Sequence, residues 1–182
     1  GDPTPKKFCP FCVGNEHTTP PEILTFPSPL PPLSKNWRVR VVANRFPVLD
    51  STIRPDPSTQ GIYDKIAGFG IHEVVIESPD HDSDFASLTL DHASEVIAAW
   101  TARIIAISSD SRIRYIMIFR NHGMEAGASL EHPHSQIIAL PIVPKLVMEE
   151  LAGALQYYQW KERCVFCDIV HDEITQGVRV IN

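Results

Sequence analysis

Glu131-His132-Pro133-His134-Ser135-Gln136 runs directly into the apolar stretch Ile137-Ile138-Ala139-Leu140. His134 to Leu140 reads as a strand. Side chains on a strand alternate between faces, so His132, His134 and Gln136 are expected to project from one side. Pro133 has no N–H to give to a ladder, which predicts a strand start or an edge at that point. Polar groups repeated two residues apart on one face are wasteful in a core and suit a site. Immediately upstream, Asn121-His122-Gly123-Met124-Glu125-Ala126-Gly127-Ala128-Ser129 carries small residues that let backbone amides approach a bound anion closely. The plainer alternative is a pair of surface histidines in a loop.

Three further segments have strand patterning: Trp37 to Ala43 (WRVRVVA), Ile71 to Glu77 (IHEVVIE) and Arg114 to Arg120 (RYIMIFR). Asp91 is a plausible N-cap for a helix reaching about Ser108, with Val96, Ile97, Trp100, Ile104 and Ile105 at helical spacing. Lys145 to Trp160 predicts a second amphipathic helix, with Leu146, Val147, Leu151 and Leu155 on one side. The proline-crowded Thr18 to Pro32 and the polar Asp50 to Gly70 lack a period and read as loops. Elements in this order predict an α+β fold with a mainly antiparallel sheet and flanking helices.

The 182-residue chain has a formal net charge of −6 with histidine neutral. That argues against a nucleic-acid polymer as partner, which needs a basic face, but leaves room for a local pocket holding one nucleotide. No apolar run approaches the roughly 20 residues that span a bilayer, so no membrane association is expected. Gly1-Asp2-Pro3 has no signal-peptide pattern, and a cytoplasmic site is the default expectation.

The four cysteines fall in two pairs, Cys9-Pro10-Phe11-Cys12 and Cys164-Val165-Phe166-Cys167. Paired two-residue spacing without an export signal reads first as metal ligation. A tetrahedral zinc site on Cys9 and Cys12 needs two more ligands. They can come from His17, His72, His81, His92, His122, His132, His134 or His171. A reactive histidine cannot spend its lone pair on metal, so if His134 is a nucleophile, His132 is the spare ligand. A redox CxxC needs a strand before it and a helix after it, and neither is expected around Cys9. A Cys₄ site joining both pairs is a further alternative.

Five elements in order carry a family resemblance: CPFC at residues 9–12, Asn44-Arg45-Phe46-Pro47, Glu73-Val74-Val75-Ile76-Glu77-Ser78-Pro79-Asp80-His81, Phe119-Arg120-Asn121, and AGASLEHPHSQ at 126–136. Together they resemble the galactose-1-phosphate uridylyltransferase branch of the histidine-triad superfamily, from Cys9 to about Pro144. The wording of HPHSQ and GFGIHEVVIESP is also similar to a divergent subgroup that includes plant ADP-glucose phosphorylase-like proteins. The resemblance implies a histidine-triad-like catalytic domain over residues 1–160. It further implies the start of a second, truncated domain of the same kind over 161–182.

By the same resemblance, Cys9, Cys12, His81 and His132 match zinc ligands, His134 matches the nucleophile, and Gln136 matches a residue that hydrogen-bonds phosphoryl oxygens. Phe11, Asn44, Phe46, Val74, Asn121, Gly127 and Ser129 match positions that hold the nucleotide. Arg45 departs from the pattern, standing where typical members carry an acidic residue at the ribose. Cys164 and Cys167 match the opening of a second metal site. The implied activity is a double displacement through a covalent nucleotidyl-histidine on His134. The substrates implied are a nucleotide sugar (UDP-glucose, UDP-galactose or ADP-glucose) and a sugar 1-phosphate, and the full-length protein is implied to be a homodimer. One rival is an ADP-glucose or dinucleoside-polyphosphate phosphorylase using the same histidine. Another is a zinc-stabilised nucleotide-binding module without full activity.

Overall fold

The computed structural model describes residues 9–27, 37–128 and 130–180. The chain divides into two compact units, one through Ile142 and one from Val143. In the first, the strands are β1 (Glu22–Pro27), β2 (Trp37–Ala43), β3 (Pro57–Gln60), β4 (Tyr63–Ile66), β5 (Ile71–Ile76), β6 (Tyr115–Phe119) and β7 (His134–Leu140), with helix α1 (Leu90–Ser108) between β5 and β6. Five of them form an antiparallel sheet in the order β1-β2-β5-β7-β6. The fold is the expected α+β arrangement with a mainly antiparallel sheet.

Both faces of the central strands are covered, which is why β2 and β5 read as nearly continuous valine and isoleucine. On one face Val39, Val41, Val75, Ile137 and Ala139 pack with Val96, Ala99 and Ile107 of α1. On the other, Val42, Val74 and Ile76 pack with Trp37 and with Cys9 and Phe11 from the N-terminal segment. The α1 face is also tied electrostatically. Arg103 of α1 donates two bonds of 2.8 Å to the carboxylate of Glu73, which is only 3% exposed. A fork-on-carboxylate pair of this kind fixes orientation as well as charge. Gly70, just before β5, lies so close to the sheet that an added Cβ would stand 2.3 Å from the Ala139 carbonyl oxygen. Only glycine lets the chain enter β5 there.

Three local expectations change. The segment expected as a proline-rich loop contains β1, because Leu24 and Phe26 pair opposite Val41 and Val39 and pack on the core. Tertiary pairing overrides a local pattern broken by prolines. The expected loop Asp50–Gly70 holds the β3–β4 hairpin, whose residues are all exposed. With neither face buried there is no alternation for a sequence pattern to display. Helix α1 is capped by Thr89, whose side chain accepts from the His92 N–H, and Asp91 sits in the first turn. There its charge still favours the positive end of the helix dipole.

The second unit contains α2 (Lys145–Lys161) and α3 (Val165–Gln176). Tyr157 donates to Asp168 at 2.7 Å and links the two helices. Leu146, Leu151 and Leu155, expected on the apolar side of α2, are exposed within this unit. No helix among the described residues is long and apolar enough to cross a membrane.

Candidate active site and metal centre

The site is built where β5 and β7 lie side by side. Ile76 pairs with His134, Val74 with Gln136 and His72 with Ile138. Because the pairing is in register, these six side chains share the sheet face that α1 does not cover. β7 begins at His134, immediately after Pro133, as the missing proline N–H predicts. His134 and Gln136 therefore share a strand face, whereas His132 precedes the strand and is fully buried.

Two backbone carbonyls give the two histidines opposite tautomers. His132 Nε2 lies 2.8 Å from the Ser78 carbonyl oxygen. A carbonyl can only accept, so Nε2 carries the proton and Nδ1 keeps its lone pair. That Nδ1 is 3.7 Å from Cys12 Sγ. His134 makes the mirror choice: its Nδ1 lies 2.8 Å from the His132 carbonyl oxygen, so its lone pair is on Nε2. Burial pushes the His132 pKa down to about 4 and lowers that of His134 as well, with the Arg120 charge adding to the effect at His134. The ring of Phe11 stands edge-on to His134, centroids 5.4 Å apart.

Cys9, Cys12, His81 and His132 each offer a ligand atom, and these atoms lie within 4.8 Å of one another. His81 Nδ1 is 3.3 Å from Cys12 Sγ. Two thiols and two imidazole nitrogens at this separation suit a tetrahedral divalent ion, and the Ser78 carbonyl behind His132 supplies the outer partner such ligands use. The cluster can hold a metal, and it is the one group of three or more such ligands among the described residues. It takes His81, and not His72, as the fourth ligand. Cys164 caps the start of α3 and Cys167 lies in its first turn, both exposed. Backbone amides of Cys167 and Phe166 hold the Cys164 thiol below its usual range.

A cleft of about 400 Å³ opens beside His134 and Gln136. Phe11, Asn44, Phe46 and Val74, all expected to hold nucleotide, line it together with Arg45. Arg45 donates to the Thr18 carbonyl at 3.2 Å and lies over the Phe46 ring, 5.9 Å from its centroid. Asn121 borders a second cavity of about 230 Å³ that also reaches His134. Gly127, at φ +79°, sits in the turn after the short 3₁₀ segment Met124–Ala126 and lines neither cavity. Ser129 lies outside the described residues.

Three residues near the site have no catalytic or nucleotide-binding role in the sequence reading. Arg120 borders the smaller cavity, held by Glu77 at 3.2 Å and Asp84 at 2.8 Å. Glu77 is fully buried, and burial raises its pKa against the lowering effect of Arg120. His72, weighed by sequence only as a metal ligand, instead contacts Gln136 and Asn44 through Nε2, at 2.8 and 2.9 Å. Strand parity with Val74 and the IHEVVIE alternation was the available signal for placing it on the cleft side.

Known proteins match this arrangement. The family model for the N-terminal domain of galactose-1-phosphate uridyl transferase matches residues 36–144. ADP-glucose phosphorylase of Arabidopsis thaliana is 38% identical over 171 residues, covering 92% of this chain and 47% of that protein. Galactose-1-phosphate uridylyltransferase of Thermotoga maritima is 29% identical over 174 residues, covering 92% and 48%. Among solved structures, the Arabidopsis ADP-glucose phosphorylase with bound ADP-glucose superposes with a TM-score of 0.73 at 35% identity, over 88% of this chain and 48% of that one. A uridylyltransferase structure gives 0.72 at 32% identity, over 95% and 51%. The chain spans about half the length of the relatives it matches.

Proposed function

The chain belongs to the galactose-1-phosphate uridylyltransferase family, and from that premise we propose that it carries the nucleophile of a nucleotidyltransferase acting through a covalent nucleotidyl-histidine on His134. The observation that carries the reading is the His134 tautomer: a buried, neutral imidazole whose Nδ1–H is engaged by the His132 carbonyl and whose Nε2 lone pair remains free beside a nucleotide-sized cleft. Such an imidazole is a ready nucleophile.

In the first displacement, Nε2 attacks the α-phosphorus of a nucleotide sugar. The N–P bond forms as the P–O bond to the sugar 1-phosphate breaks, and the leaving group takes the electron pair. The His132 carbonyl, still accepting from Nδ1–H, stabilises the positive charge that the ring acquires. In the second displacement, an oxygen of a hexose 1-phosphate attacks phosphorus and the N–P electron pair returns to Nε2. Gln136 donates to the phosphoryl oxygens as charge accumulates on them. Phe11, Asn44, Phe46, Val74, Asn121, Gly127 and Ser129 hold the nucleotide. Cys9, Cys12, His81 and His132 hold zinc, which when bound serves to fix the strand that aims His134. A homodimer in the cytoplasm, and a second metal site begun by Cys164 and Cys167 in a domain opening at residue 161, complete the reading.

A second reading makes inorganic phosphate the acceptor and ADP-glucose the donor. Arg45 at the cleft wall favours it, since typical uridylyltransferases have a carboxylate at the ribose there, and so does the 38% identity to an ADP-glucose phosphorylase. Intact mass after mixing the protein separately with UDP-glucose and ADP-glucose tests both. A uridylyl or an adenylyl adduct identifies the donor, and release by galactose 1-phosphate or by phosphate identifies the acceptor. No adduct with either donor would leave a zinc-stabilised nucleotide-binding module.

A further inference from the structure

His72 stands at a junction that the double displacement leaves unexplained. It is 8% exposed, on the same sheet face as Gln136, and three polar groups converge on its ring. The Val48 N–H points at Nδ1 from 3.3 Å. Gln136 Oε1 is 2.8 Å from Nε2, and Asn44 Nδ2 is 2.9 Å from the same atom.

The hydrogens of this junction can be assigned from chemistry. A backbone N–H can only donate, so Nδ1 must accept from Val48, and the single proton of a neutral ring is then on Nε2. That proton needs an acceptor. Asn44 cannot supply one: its Oδ1 already accepts from the Phe46 N–H at 2.9 Å, and its Nδ2, 2.9 Å from Nε2, is a donor that makes no hydrogen bond to a protonated nitrogen. Gln136 Oε1 is the acceptor that remains. Once Oε1 is engaged by His72, the Gln136 NH₂ is turned the other way, and Gln136 lines the cleft beside His134. The opposite tautomer inverts this result. With the proton on Nδ1, the Val48 N–H loses its acceptor, Nε2 takes a bond from Asn44, and Gln136 must turn over. Its carbonyl oxygen would then face the phosphoryl oxygens and repel them.

We propose that His72 is a positioning residue that fixes the rotation of the Gln136 amide, so that its NH₂ and not its oxygen is presented to the nucleotide phosphoryl group at His134. Its consequence for catalysis rests on the proposed nucleotidyl transfer, while its geometry does not. An amide has no intrinsic preference between its two nearly isosteric ends, so a donor needed on one side requires a partner on the other.

Nitrogen-15 NMR of the histidine rings in the metal-loaded 182-residue chain tests the geometry without reference to activity, with the His72 signals assigned by their loss in His72→Gln. The expected state at neutral pH is a neutral ring protonated on Nε2. A ring protonated on Nδ1, or on both nitrogens, overturns the proposal whether or not the protein forms an adduct. Single-turnover adduct formation with UDP-glucose and ADP-glucose tests the consequence. His72→Phe should slow it by about as much as Gln136→Ala does, on the order of a hundredfold, with the affinity for nucleotide sugar nearly unchanged. The double variant should be no slower than Gln136→Ala alone, because His72 acts only through that amide. His72→Gln, which can still donate to Oε1, should recover part of the rate. Losses that multiply in the double variant mean that His72 acts elsewhere and overturn the proposal. A wild-type protein that forms no adduct counts against the function proposed above, and the ring tautomer then decides the role of His72 by itself.

Discussion

Neighbouring residues of β7 serve two different environments. Ser135, Ile137 and Ala139 turn toward α1, where apolar side chains close over them and the Trp100 indole N–H donates to Ser135 Oγ at 2.8 Å. His134 and Gln136 turn toward the cleft, where the ring nitrogens and amide groups are held by hydrogen bonds and one end of each stays available. One face is closed over by apolar packing. The other is satisfied on one side only, and that incompleteness is what a binding and reacting surface needs. Substitutions one residue apart should therefore separate stability from chemistry.

The largest expected separation is at His134. His134→Asn should abolish the covalent nucleotide adduct while metal content and melting temperature stay near those of the wild type. An adduct that persists in intact-mass spectra would mean that another histidine is the nucleophile. His132→Ala should damage both properties at once. It removes a ligand, and with it the binding energy that a structural metal contributes to folding. Elemental analysis and thermal melting should show metal loss with a lower midpoint, and a chelator or Cys9→Ser should act in the same direction. Wild-type protein that melts identically with and without chelator would remove the metal from the account of stability.

Gln136→Ala should slow adduct formation by about a hundredfold and leave the midpoint almost unmoved, since it deletes a donor and not the nucleophile. The next residue behaves in the opposite way. Ile137 is fully buried against α1, so Ile137→Ala should cost about 2–5 kcal/mol in denaturant unfolding, with the adduct rate per folded molecule retained. If that variant lost chemistry without losing stability, the two faces would not be independent. Ser135→Ala should have the smallest effect, about 1 kcal/mol, through the Trp100 N–H left without its acceptor.

Much of the site was legible in the sequence because short-range periodicity carries it. Strand alternation placed His134 and Gln136 on one face, Pro133 marked where β7 begins, and CPFC announced a thiol pair that can hold a metal. The hairpin β3–β4 was not legible, because a strand exposed on both faces writes no alternation into its residues. β1 was hidden for another reason: its pairing with β2 supplies order that its own prolines obscure.

Residue types and spacing by themselves determined that this chain has an antiparallel α+β core, a cysteine pair suited to metal, and two histidines two residues apart beside a glutamine. They could not determine which nitrogen of which histidine would be free. That was decided by backbone carbonyls brought in by folding. Ser78, 54 residues before His132 in the chain, claims the Nε2 proton of His132 and turns its Nδ1 toward the cysteines, while the His132 carbonyl claims the Nδ1 proton of His134 and leaves Nε2 exposed to the cleft. His72 shows the same dependence, since only the arrival of the Val48 N–H and the Gln136 amide around its ring makes it a partner of the cleft side and not of the Cys/His cluster. A side chain's chemical type is written in the sequence, but the position of its proton depends on partners that only the tertiary structure assembles.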